Sequence, residues 1–211
     1  VSTLTVIIGI ALVLVAVALF YLANTSKDRQ PSPAATPQRF GDDFDEVDGA
    51  AAFSPARFGP GSIVSYGATD YIVRETLSYS QGPYRWYEHR LDGGNGASWL
   101  STEVDEGEFT LVWWTTRKAL RVTPAATVEV DGVTYHEEER GHAQYTRQTT
   151  EGIAESGVVR FIDFEDASGE NFLGLESFGE RDDDTSAAWE VSTGRRILPG
   201  ELTVYAKPGA E

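Results

Sequence analysis

The chain has no cysteine and no methionine, and only 17 basic side chains stand against 33 acidic ones. Each shortage removes a class of protein. Without cysteine there is no disulfide framework, no zinc ribbon and no thiol nucleophile. A net charge of -16 over 211 residues runs against nucleic-acid binding, which needs clustered lysine and arginine to neutralise phosphates. Catalytic signatures are missing too. There is no Gly-x-Ser-x-Gly elbow and no histidine-glutamate zinc motif, and Gly93-Gly94-Asn95-Gly96 lacks the lysine of a phosphate loop. That glycine run reads as a hairpin turn.

Charge is also absent locally. Residues 1–26 carry no Asp, Glu, Lys or Arg, and Leu4 to Leu22 is almost wholly apolar. A helix needs about 20 such residues to cross a bilayer. A cleaved signal peptide would need a basic flank and a shorter apolar run. The stretch therefore predicts a transmembrane anchor over 1–23, with Leu4 to Leu22 in the lipid bilayer. Lys27, Arg29 and Arg39 follow it and nothing basic precedes it. By the positive-inside rule, this places a single-pass protein in the cell membrane with its C-terminal domain in the cytoplasm.

Residues 24–60 read as a disordered tether, first rich in Pro and Ala and then acidic. Phe40, Phe44, Phe53 and Phe58 punctuate it. Such aromatics either form a partner motif or pack on the edge of the domain, and the second is the expectation. From Gly61 onward, short alternating runs rich in Tyr, Trp, Ile, Val and Thr are separated by Gly and Asp turns. That texture predicts an all-β domain.

The domain repeats itself. Val64 to Tyr71 aligns with Val128 to Tyr135 at an offset of 64, and Trp86 to Asp92 with Arg160 to Asp166 at 74. Leu100 and Glu103 then match Leu173 and Glu176 at 73. The expectation is two antiparallel meanders, 61–124 and 125–206, forming a sandwich or partly closed barrel, with a tail at 207–211. A sheet alone leaves one apolar face wet, so pairing the two should supply the core.

The three histidines offer little chemistry. His136 and His142 flank Glu137-Glu138-Glu139, but alternation sends His136 and Glu138 one way and Glu137 and Glu139 the other. Asp163, Glu165 and Asp166, or Asp182 to Asp184, lack the spacing of a calcium loop. No catalytic residue, metal ligand or cofactor is therefore assigned. Aromatics are more telling. Trp113 and Trp114 are adjacent in a strand and cannot enter the same core. Either one of them forms a partner-binding surface, or both faces of that strand are covered.

Trp86-Tyr87-Glu88-His89-Arg90-Leu91, a glycine turn and then Trp99-Leu100 resemble the W-x-E-Y-x-L … G-x-x-W-L signature of domain-of-unknown-function family 4178. Gly61-Ser62-Ile63-Val64 … Asp70-Tyr71 is similar to that family's opening, and the likeness runs from about Pro60 to Tyr205. His89 stands where the family usually has tyrosine. The resemblance implies a bacterial, membrane-anchored protein whose related genes encode small membrane proteins, polyamine aminopropyltransferase-like enzymes and membrane-stress coat proteins. It assigns no catalytic residue. Trp86, Glu88, Trp99 and Leu100 match the motif and read as structural, the indoles filling the core and Glu88 pairing with an arginine or capping an edge.

Together these features predict a membrane-tethered, non-catalytic interaction module with a protein partner in or near the membrane and no nucleic acid. The alternatives are a domain binding polyamines, other small cations or divalent metal through its acidic loops, and a hydrolase using two carboxylates.

Overall fold

The computed structural model describes residues 42–94, 96–179 and 188–210. The predicted anchor at Leu4 to Leu22 lies outside them, as does Asp182 to Asp184. Among the described residues no helix is long and apolar enough to cross a membrane.

Eleven antiparallel strands follow a short helix, α1 (Asp42–Glu46). The first meander is β1 (Ile63–Tyr66), β2 (Thr69–Gln81), β3 (Tyr84–Gly93), β4 (Gly96–Asp105) and β5 (Glu108–Thr116). The second is β6 (Thr127–Val130), β7 (Val133–Thr149), β8 (Gly152–Asp166), β9 (Asn171–Gly179) and β10 (Glu190–Arg196). β11 (Leu202–Tyr205) ends the domain. Turn chemistry fixes the hairpins. Glu106-Gly107 and Asp131-Gly132 both place two consecutive residues at positive φ, the geometry whose twist matches the flanking strands.

The meanders do not stack as two sheets. They form one sheet, joined where β5 pairs with β10 and again where β2 pairs with β7. Those two junctions close β2-β3-β4-β5-β10-β9-β8-β7 into an eight-stranded barrel, the second of the two expected architectures. Closure leaves the ring without free edges.

The repeat is real, and its register corrects the sequence alignment. β2 carries an extra residue at Arg74 and β7 one at Glu138, 64 positions apart as aligned. Beyond these bulges Leu91 corresponds to Phe164, an offset of 73 rather than 74. The difference matters because a slip of one residue turns every side chain to the opposite face. The bulge also overturns the alternation expected after His136. Glu139 pairs with Asp163, which lines the interior, while Glu137 pairs with Phe164 on the outer face.

The core is split between the two faces of the wall. Outside the first meander, Val64, Val73, Leu91, Leu100 and Leu111 pack under Phe44, Phe53 and Phe58. The second half of the expected tether is thus part of the domain. These three rings are at most 4% exposed, and each buried ring contributes roughly 1.5–3 kcal/mol. Outside the second meander, Leu120 and Val122 cover Ile162, Phe164, Leu173 and Leu175. The C-terminal strand departs from the expected boundary. β11 pairs with β1 of the first meander, and Lys207 donates to the carbonyls of Arg57 and Pro55.

Candidate functional site

Cross-strand partners share a face, so the pairing identifies the lumen residue by residue. Leu77 opposes Glu88, Tyr79 opposes Trp86, and Arg90 opposes Trp99. Trp99 opposes Trp114, and Phe161 opposes Glu176. The lumen holds an apolar cluster of Leu77, Tyr79, Tyr145, Val159 and Phe161 with Trp86, Trp99 and Phe178. It also holds Glu88, Glu103, Asp163 and Glu176. Pairing the meanders therefore enclosed carboxylates along with apolar side chains.

The remaining space forms two lobes of about 200 Å³ and 550 Å³. Both are walled by Trp86, Glu88, Trp114, Phe161 and Asp163. Trp114 donates from Nε1 to Ser101 Oγ at 2.9 Å. Its ring lies over Gly194, where a Cβ would come within 2.6 Å of it. A glycine is needed there for close approach, not for backbone freedom.

The two ends of the lumen differ in charge. At the end of the smaller lobe, Arg90 meets Glu75 at 2.9 Å, while Arg147 meets Glu75 at 3.6 Å and Glu155 at 3.4 Å. Around the larger lobe stand Glu103, Asp105, Glu138, Glu139, Asp163 and Glu165. None of these six makes a side-chain hydrogen bond or ion pair among the described residues. Asp163 keeps its open surface on the lumen side.

These acids sit inside the barrel wall and their neighbours are alike, so they resist ionisation. Enclosure pushes Asp163 up to about 8, helped by Glu176, Glu139 and Glu103. Enclosure pushes Glu103 to about 7, with Asp105 and Glu139 adding to it. Burial raises Glu88 to about 7, with Asp163 adding to it, and burial raises Glu176 too, with Glu88 and Glu190 adding to it, while the Tyr79 hydroxyl pulls both the other way. The Tyr79 hydroxyl lies 3.1 Å from Glu88 Oε2 and 3.1 Å from Glu176 Oε1, and its ring stacks on Trp86 at 5.1 Å. Burial, Glu176 and Glu88 all hold that phenol well above its ordinary value.

Of the motif residues, Trp86, Glu88 and Trp99 face the lumen, while Leu100 is fully buried in the outer wall. Glu88 bonds to a tyrosine rather than to an arginine or a backbone edge. Trp114 faces the lumen, and Trp113 lies outside between Tyr66 and Tyr71 at 4.9 and 5.0 Å. Both indoles are half-buried. His89 sits in the outer wall, its Nδ1 2.9 Å from Thr76 Oγ1 and its Nε2 3.3 Å from Thr102 Oγ1. Burial lowers it to about 3, so the ring is neutral. His136 is exposed beside Thr127. Asp166 caps the turn that follows β8 through Ser168 and Asn171.

Tyr79 and Glu176 are site residues that sequence reasoning missed, and it weighed Asp163 only as a calcium ligand and set it aside. The one signal was the match of Glu103 with Glu176 across the repeat, since both proved to be luminal. Among the described residues, no three His, Asp or Glu groups converge to hold a metal ion.

The chain is 38% identical to the uncharacterized protein Rv2597 of Mycobacterium tuberculosis over 98% of each chain. It is equally similar, over the same share, to the uncharacterized protein Mb2628 of Mycobacterium bovis. No solved structure matches it. The model of one family covers residues 59–199, a span that takes in all of the barrel, and the chain belongs to that family, the domain of unknown function DUF4178.

Proposed function

We propose that the barrel is a non-catalytic binding module whose lumen takes a small organic cation of the alkylammonium type. The observation that carries this reading is the larger lobe, where unpaired Glu103 and Asp163 face the aromatic rings of Trp86, Trp114 and Phe161. Carboxylates satisfy the charged head, and indole faces attract it through their quadrupole while packing its methylenes. The cationic ligand anticipated for acidic loops is thus assigned to the interior.

A divalent metal is less well served, because it needs several oxygens at one point. The two-carboxylate hydrolase is also less well served. Such enzymes hold substrate and water between their acids, and here the Tyr79 hydroxyl occupies the gap between Glu88 and Glu176.

The membrane reading accompanies this proposal. The uncharged run Leu4 to Leu22 supports an anchor, and Lys27, Arg29 and Arg39 support a cytoplasmic domain. A protein partner in that membrane is the expected product of a pull-down from solubilised membranes.

Thermal unfolding tests the ligand class. At constant ionic strength, 1,4-diaminobutane should raise Tm, because a ligand at about 100 times its Kd adds about 2.7 kcal/mol. Neutral 1,4-butanediol should not. Equal responses to the two compounds, or none to either, refute the reading.

A further inference from the structure

The hydrogens around Tyr79 can be counted. Its hydroxyl is within hydrogen-bond distance of both Glu88 and Glu176, yet a phenol has one hydrogen to donate. When it donates to one carboxyl group, the other can bond to the phenolic oxygen only as a donor, and so must itself be protonated. Three oxygens joined by two separate two-centre hydrogen bonds require two hydrogens. One belongs to the phenol and the second is an additional proton held by the pair.

The surroundings explain why that proton stays. Asp163 on β8 and Glu190 on β10 face the pair, and both are acidic. Glu103 on β4 and Glu139 on β7 stand beyond Asp163. The guanidinium groups at this level of the barrel, Arg90 and Arg147, are taken up by Glu75 and Glu155. Among the described residues, no cationic side chain bonds to either carboxyl group of the pair. A proton does a cation's work there.

We propose that a cationic ligand entering the lumen displaces this resident proton, so that binding is an exchange of a hydrogen ion for an alkylammonium group at the Glu88–Tyr79–Glu176 bridge. The inference rests on the cation-binding reading above and adds to it the coupling of affinity to pH. The step balances simply. A carboxylic acid and an alkylammonium ion become a carboxylate–alkylammonium pair, with one proton released to solvent and no bond of the ligand altered. After ionisation the two carboxylates compete for a single phenolic hydrogen. The one that loses is free to accept the ammonium. The raised affinities of Glu88 and Glu176 for protons agree with this count.

Calorimetry reads the exchange directly. The full chain is titrated with 1,4-diaminobutane at pH 7 in phosphate and in HEPES, two buffers with different heats of ionisation. The dependence of the observed heat on buffer should correspond to at least one proton released per ligand bound. By linkage, affinity should then rise about tenfold per pH unit for each proton released. Glu176→Gln supplies an amide N–H to the phenolic oxygen without a titrating proton, so it should release one proton fewer per ligand and bind more weakly, because it leaves no second carboxylate to accept the ammonium. Glu88→Gln, made independently, should do the same. Binding with no buffer dependence in the natural chain overturns the exchange and leaves the cation-binding reading standing. So does an unchanged proton count in a folded Gln variant. Failure of the natural chain to bind at any pH from 6 to 9 overturns both.

Discussion

Glu88 and His89 are neighbours on β3, and the wall of the barrel runs between them. His89 faces outward into a dry layer, with a threonine hydroxyl at each ring nitrogen and Phe58 edge-on at 4.5 Å. Glu88 faces inward onto open space, with a phenol on one side and other acids around it. Burial pushes both groups toward neutrality, His89 by losing a proton and Glu88 by keeping one. The outer face is packed and satisfied, as a stabilising layer should be. The inner face is hollow and short of counter-charge. One strand thus separates the part of the sequence that holds the fold from the part that is available to a ligand.

The sharpest way to break this contrast is to empty the outer layer. Phe58→Ala should cost about 3–5 kcal/mol and Leu100→Ala about 2–5 kcal/mol in urea unfolding. Glu176→Gln inside the lumen should be neutral or stabilising, since it removes a carboxyl group from an acidic enclosure. A smaller effect is expected at Gly194, where a methyl group would meet the Trp114 ring. Gly194→Ala should cost about 1–3 kcal/mol by overpacking, with a change in tryptophan emission that reports the displaced indole. Replacing His89 by Leu strands the Thr76 and Thr102 hydroxyls, at about 1–3 kcal/mol for each one left unsatisfied.

The smallest effect is the most diagnostic, because pH acts on the two faces in opposite directions. Carboxyl groups raised in the folded state favour folding while protonated, and that contribution is lost as pH climbs through the folded value. Glu103 at about 7 and Asp163 at about 8 set the window. Tm should therefore fall from pH 5 to pH 8, and Glu103→Gln with Asp163→Asn should flatten the fall. His89 at about 3 works the other way. Its folded value is depressed, so the unfolded chain binds its proton more readily, and stability rises with pH up to the ordinary histidine range. His89→Leu should remove that rising limb, which steepens the fall between pH 5 and about 6.5 and leaves it unchanged at higher pH.

Much of this architecture was legible in the sequence. Strand texture, glycine turns and the 64-residue spacing announced two related meanders, and Trp86, Glu88 and Trp99 were singled out by their motif. The inward face was not legible. Period-two alternation separates Glu88 from His89 but does not say which of them a closing sheet will enclose. That depends on the β2–β7 and β5–β10 junctions, which join residues far apart in sequence. Nor does alternation survive a bulge, which is why Glu139 changed sides and the second alignment block slipped by one residue. Phe44, Phe53 and Phe58 were expected on the edge of the domain and are packed there, but their partners on β3, β4 and β5 could not be named because they belong to a surface that exists only after folding.

β11 pairs with β1, bringing Tyr205 opposite Ile63. That pairing ties the domain's schedule to its final residues. During synthesis the first strand emerges with one edge unpaired and keeps it until Leu202 to Tyr205 have been made. Contacts of such long separation form slowly, and an unpaired strand edge is open to other chains in the interval. Shortening the chain before Leu202 would therefore do more than trim an end. It would leave the opening strand permanently waiting.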